Sequence, residues 1–200
     1  TILQNQGNFT FVRYSDDFIM AHPNYELFLE GVYTIEKFLH SVGLKISRKQ
    51  TSIAVTNEKI NHGKFKVGFN FLGCHFILYN RKYSSKTNNR GKNKDFVLFV
   101  TPTKEKKLEH YNKIKRTVWS MKSASQENLI KRLNPIISDW SVYYQYYNSS
   151  RDFSKLDYKI WFLLFTWAIK RHNKKSKTWI LNKYFHRYKN QKSRFFTYWN

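Results

Sequence analysis

Acidic residues, cysteine and proline are scarce in this sequence. Its 200 residues hold 13 Asp and Glu against 36 Lys and Arg, with one cysteine and three prolines. A single thiol, Cys74, excludes an internal disulfide framework and any zinc site built from several cysteines, and it reads as a reduced core residue. Long apolar runs are missing too. The most apolar window, Ile160–Ile169, is flanked by Asp157, Lys159, Lys170 and Arg171; it is too short to span a bilayer and is expected to be a core helix. The opening TILQNQGNFTF has no initiator Met, basic segment or apolar segment, so it is not expected to be a signal peptide. The shortage of acids leaves a net charge of +23, and self-repulsion of that size opposes compaction unless a polyanion offsets it. That charge favours nucleic acid as a partner over a membrane surface.

With 41% hydrophobic and 18% aromatic residues, the chain is able to bury a core. Phe9–Tyr14 and Phe18–His22 are expected to form a hairpin turning at Ser15–Asp17 and ending at Pro23. Tyr25–Val42 carries Phe28, Val32, Ile35, Phe38, Leu39 and Val42 at helical spacing, with Gly43 placed as a C-cap. Leu44–Ser47 and Thr51–Val55 are strand candidates, and Phe65–Tyr79 reads as two strands about Gly73. Arg81–Lys94 reads as a basic loop and Phe96–Thr101 as a further strand.

From Lys104 the pattern is helical. Leu108, Tyr111, Ile114, Val118 and Met121 form one stripe. Ser123 with Gln126 is a candidate capping box. It opens a helix with Leu129, Ile130, Leu133, Ile137, Trp140, Tyr144 and Tyr147 on one face, which Pro135 should kink or interrupt. Phe153–Lys170 is a third helix. The expected fold class is α+β, with domains at 1–101 and 102–200.

The stretch FVRYSDDFIMAH, Phe11–His22, sets Asp16 and Asp17 side by side between apolar runs. Asp favours turns because its carboxylate bonds nearby backbone, and that is the ordinary reading. Carboxylates held on rigid strands also suit Mg²⁺, which binds through few carboxylates plus substrate phosphates. Two such ions can stabilise the attacking and leaving oxygens of a phosphoryl displacement. Other acids of this half lie along the helix (Glu26, Glu30, Glu36) or in a loop (Glu58), so the site as written is incomplete.

The tetrad Tyr14–Asp17 within FVRYSDDF resembles the catalytic hairpin of reverse transcriptases, aromatic–x–Asp–Asp, most closely that of group II intron reverse transcriptase/maturases. LHSVGLKIS with RKQTSI is similar to that family's leucine–x–leucine–x–x–x–lysine–threonine segment, departing from it at Gln50. FNFLGCHF (Phe69–Phe76) resembles its primer-grip strand, and TPTKEKKLEHYNKIK resembles the entry to its thumb, or maturase, domain. LIKRLNPIISDWSVYYQYY and NKYF are similar to later parts of that domain.

The resemblance implies the end of a polymerase palm, with antiparallel hairpins and a packed helix, followed by an all-α thumb/maturase domain that binds intron RNA. Asp16 and Asp17 would then be catalytic ligands of two Mg²⁺ ions. Tyr14 would pack near the primer end, and Phe71, Leu72 and Gly73 would brace the primer strand. Ser15 stands where alanine is more usual. The partners implied are group II intron RNA, an RNA template and a DNA primer. The family's third catalytic Asp, its fingers and its zinc-ligated endonuclease module have no counterpart in these residues. The chain is therefore expected to be the C-terminal part of a longer protein, inactive as a polymerase by itself.

In the helical half, Lys104, Lys106, Lys107, Lys170, Arg171, Lys174, Lys175 and Lys177 are candidate RNA contacts, with Lys170–Lys177 the densest patch. Trp140, Trp161, Phe165 and Trp167 read as core; Tyr143, Tyr146, Tyr184 and Tyr188 are open between core and base stacking. His172 and His186 lack ligand-spaced partners. Two functions stay open: an RNA-directed DNA polymerase that also assists splicing, and a splicing-only maturase. A structural RNA-binding protein would explain the charge but not the motifs. The abundance of Lys, Asn, Ile, Phe and Tyr fits an AT-rich genome, and hence a plastid or mitochondrion.

Overall fold

The computed structural model describes residues 9–56, 65–80 and 96–185. The expectations for Arg81–Lys94, Glu58, His186 and Tyr188 lie outside the described residues. Among the described residues the elements combine small sheets with five helices, a mixed composition compatible with an α+β class. Two compact units divide the chain, Thr1–Leu72 with Phe76–Leu98, and Gly73–His75 with Phe99–Asn200.

In the first unit, β1 (Thr10–Tyr14) and β2 (Asp17–Ala21) form an antiparallel hairpin. Tyr14 faces Asp17, leaving Ser15 and Asp16 as a two-residue connection. Helix α1 (Tyr25–Ser41) starts at Asn24, whose Oδ1 accepts from the N–H groups of Glu26 (2.8 Å) and Leu27 (3.1 Å). It ends as Gly43 suggested. With Gly43 at φ 77, its N–H bonds the His40 carbonyl (3.1 Å) and that of Leu44 bonds Leu39 (2.8 Å), a Schellman closure.

The helix meets the hairpin at Gly31, its buried residue. A Cβ there would lie 2.8 Å from the Phe9 ring and 2.9 Å from Met20 Sδ, so the close approach requires glycine. Phe38 and Val42, members of the apolar set at helical spacing, are 64% and 54% exposed, because a two-stranded hairpin is too narrow to cover the whole apolar stripe.

Leu44–Ser47 is not a strand. Its backbone is engaged elsewhere: the Leu44 N–H closes α1, and the Ser47 carbonyl accepts from Gln50 and Thr51. Two-residue strands β3 (Ala54–Val55) and β4 (Lys66–Val67) pair in parallel. A separate sheet has the order β5 (Phe69–Phe71), β6 (Cys74–Asn80), β7 (Phe96–Pro102). The turn between β5 and β6, Leu72–Gly73, has φ values of 48 and 77, the doubly left-handed form that suits a tight hairpin.

The second unit contains α2 (Lys104–Ser120), α3 (Gln126–Tyr144), α4 (Ser150–Arg171) and α5 (Lys177–Tyr184). Thr103, Ser125 and Ser176 cap α2, α3 and α5 through their hydroxyls. The cap of α3 is therefore Ser125, not Ser123. Gln126 becomes the first helical residue, where its side chain cannot close a capping box and instead donates to the Tyr184 carbonyl (3.4 Å). Helix α3 runs unbroken through Pro135. The missing N–H leaves only the carbonyl of exposed Lys131 without its helical donor, which water can satisfy.

The core gathers Ile114 and Val118 of α2, Leu129, Leu133 and Ile137 of α3, Ile160, Leu164 and Trp167 of α4, and Ile180 of α5. Leu108, expected on the α2 stripe, is 60% exposed. His110 is buried on that helix instead, stacked on Trp140 at 4.5 Å. No helix among the described residues is long and apolar enough to cross a membrane.

Candidate functional site

The hairpin of the first unit presents Asp16 and Asp17 to solvent. Arg13, the nearest cation in sequence, spends its Nε donor on the Ser15 carbonyl (2.8 Å). Among the described residues neither carboxylate has a hydrogen-bond or ion-pair partner. Ser15 sits at φ 52, a left-handed conformation that L side chains adopt at a cost, and such strain concentrates at functional turns. Tyr14 is 65% exposed beside them. Among the described residues no group of three or more His, Cys, Asp and Glu is arranged to hold a metal. Two adjacent carboxylates fit the minimal protein share of a Mg²⁺ site completed by substrate phosphates, and no more than that.

Of the expected primer-bracing residues, Phe71 closes β5 and Leu72 carries the strained half of the turn. The Gly73 carbonyl accepts from the Thr103 N–H (3.0 Å) and the Tyr144 hydroxyl (3.2 Å). Cys74 is buried, and burial pushes its thiol above the ordinary range while a hydrogen bond from Tyr147 partly offsets this.

In the second unit the expected RNA contacts fall into two groups. Helices α2 and α4 run side by side in the same direction. Lys107 pairs with Asp152 (3.0 Å) near their starts, and Lys170 lies 4.6 Å over the Trp119 ring near their ends. Lys104, Lys106 and Lys107 thus stand roughly 20 Å of helix from the Lys170–Lys177 group. Lys107 is largely withdrawn from solvent in its ion pair, and Lys106 holds Glu109 at 2.9 Å. Arg171 donates to the carbonyls of Lys122 (3.4 Å) and Ala124 and lies over Trp167, tying α4 to the α2–α3 connection. Lys175 and Lys183 both lie over Trp179, at 5.4 and 4.7 Å. Lys174 and Lys177 are exposed.

His172 bonds the Tyr184 hydroxyl at 2.6 Å, and its pKa is lowered by burial and then by Lys183, Arg171 and Lys175. It is a structural residue of this basic corner.

Between Pro102 and Phe185 stand eighteen Lys and Arg against six Asp and Glu. Three of the six acids, Glu109, Glu127 and Asp152, are held in ion pairs. The surface is left cationic, with Tyr143 (52% exposed) and Tyr146 (86%) at the end of α3. Residues 108–185 match the family model for the group II intron, maturase-specific domain. The match supports a group II intron maturase with a part in intron splicing, and it implies intron RNA as partner. No curated protein matches the chain.

Within the maturase-specific region, the aromatics expected in the core are there: Trp167 is buried, and Trp140, Trp161 and Phe165 are half-buried. Tyr184 is core as well. Trp119, which is not among the expected RNA contacts, is set by the fold among Asn112, Lys115 and Arg116. Its signal was a tryptophan one residue off the apolar stripe of a basic helix.

Proposed function

We propose that this chain is the RNA-gripping, C-terminal portion of a group II intron maturase, divided near Pro102 into a palm segment and a helical thumb/maturase segment. The carrying observation is the helical unit's surface, where cations outnumber acids threefold and half of the acids are already paired. Such a surface binds phosphates by releasing counterions, so affinity falls with salt in proportion to the contacts made. Lys174 and Lys177, exposed beside a corner stiffened by Lys175, Lys183 and Trp179, are the most available phosphate contacts. Equilibrium binding of the full chain to its group II intron RNA, across a series of salt concentrations, tests the reading. Lys174→Glu with Lys177→Glu should weaken binding and flatten the slope of log K against log salt. An unchanged slope removes this corner from the interface.

A second activity, RNA-directed DNA polymerisation in the full-length protein, is favoured by the Asp16–Asp17 pair, without a partner among the described residues, on its strained turn. In that reading Asp16 and Asp17 hold Mg²⁺, Tyr14 packs near the primer end, and Phe71, Leu72 and Gly73 brace the primer. Mg²⁺ bound there supplies neutralisation of phosphate charge. The plastid or mitochondrion remains the proposed compartment. Primer extension on an RNA template should be abolished by Asp16→Asn in the full-length protein while intron binding is retained. Extension at the unsubstituted rate would reduce the carboxylates to a turn.

A further inference from the structure

An open hollow of about 470 Å³ lies against α2, lined by Glu109, Asn112, Lys115, Arg116 and Trp119. Glu109, Asn112, Arg116 and Trp119 follow one another at three- and four-residue steps, so they share a helix face beside the buried Ile114–Val118 stripe. Trp119 is half-buried, packed partly on the core, with the Lys170 ammonium 4.6 Å over its ring. Lys170 is not among the residues that line the hollow.

The charges around the hollow are unequal. Glu109 is its one acid, and it is paired with Lys106; that hydrogen bond and charge, followed by Lys113 and Arg116, hold its carboxyl below the usual range. Lys115 and Arg116 are exposed cations, the latter steadied by a bond from its Nε to the Asn112 carbonyl (3.4 Å). The Asn112 carboxamide offers both a donor and an acceptor. An aromatic surface, two phosphate-seeking cations and a two-sided amide are the three elements by which proteins take an unpaired base. The face of a base within a duplex is covered by its neighbours and cannot enter.

We infer that this hollow is a subsite for one unpaired RNA nucleotide, its base stacked on Trp119 and facing Asn112, its phosphate on Lys115 and Arg116. The inference rests on the RNA-binding reading above and adds a place and a strandedness to it.

The full chain, titrated with a short unstructured RNA carrying a fluorescent adenine analogue and with the same RNA annealed to its complement, separates the two. Trp119→Ala should lower single-strand affinity about tenfold and remove the quenching of the analogue, leaving duplex affinity and the salt slope unchanged. Trp119→Phe keeps a ring and should retain most of both, which separates lost stacking from lost folding. Arg116→Ala should weaken binding and flatten the salt slope. Equal losses on single strand and duplex, or none with Trp119→Ala, would overturn this subsite while RNA binding stands. Failure of the unsubstituted chain to bind either RNA would overturn the RNA-binding reading and this one with it.

Discussion

The hydroxyl of Tyr144, near the end of α3, donates to the carbonyl oxygen of Gly73 at 3.2 Å, across 71 residues of sequence. A Cβ on Gly73 would meet the Tyr144 hydroxyl oxygen at 3.0 Å and Lys106 Cγ at 3.3 Å, on a backbone at φ 77. Gly73→Ala therefore combines a left-handed penalty with a displaced hydrogen bond, and should cost about 2 kcal/mol of unfolding free energy. Tyr144→Phe should cost less, about 1 kcal/mol, because the Gly73 carbonyl keeps its bond from Thr103. Burial pushes the Tyr144 pKa up to about 12. Its protonated form favours folding, so stability should decline as pH rises from about 10 through 12, a decline that Tyr144→Phe removes. Urea unfolding at several alkaline pH values measures all three.

Two half-hidden titrations of the helical unit oppose each other below neutrality. Burial, with Lys113 second, lowers His110 to about 4, so acidification from about 6.5 to 4 forces a buried cation and destabilises the fold. Burial raises Asp157 to about 6, so its contribution favours the fold at low pH and is lost as pH rises from about 4 through 6. The wild-type curve should therefore be nearly flat between pH 4 and 6. Asp157→Asn should gain stability at pH 7 and nothing at pH 4, while His110→Phe should gain at pH 4 alone. Melting temperatures of the three proteins across that range decide it; parallel curves would refute the opposition.

Gly31 sets the distance between α1 and the carboxylate hairpin. Gly31→Val would drive branched carbons into Phe9 and Met20, and should loosen the hairpin by about 2 kcal/mol. Hydrogen exchange at the β1 and β2 amides should accelerate while that of α3 and α4 amides stays unchanged. Faster exchange in both units would refute a local effect.

The Asp16–Asp17 pair should draw a divalent cation weakly even without nucleotide. Mn²⁺ titrated into labelled protein should broaden the amide resonances of Tyr14–Phe18 first, and excess Mg²⁺ should reverse the broadening. In Asp16→Asn/Asp17→Asn the broadening should vanish. Its persistence would mean that the carboxylates are not ligands.

The hairpin and its turn, the Gly43 closure of α1, and the helices after Pro102 were legible in the sequence, because each depends on local chemistry: a strand period, a glycine at positive φ, a stripe at helical spacing. The charge excess was equally legible, since it needs only counting. What the sequence alone left undecided was which face each stripe turned inward. Leu108 and Phe38 fit their stripes and are exposed, while His110 and Gly31 are buried, because burial depends on the neighbour that arrives and on how much of the stripe it covers. Ser125 displaced Ser123 as a cap through the start of α3, and Leu44–Ser47 lost strand pairing to a helix closure. The site divided in the same way. Adjacent carboxylates and a lysine run could be read from one dimension, whereas bringing Lys170 of α4 over Trp119 of α2 required two helices, distant in sequence, to pack side by side.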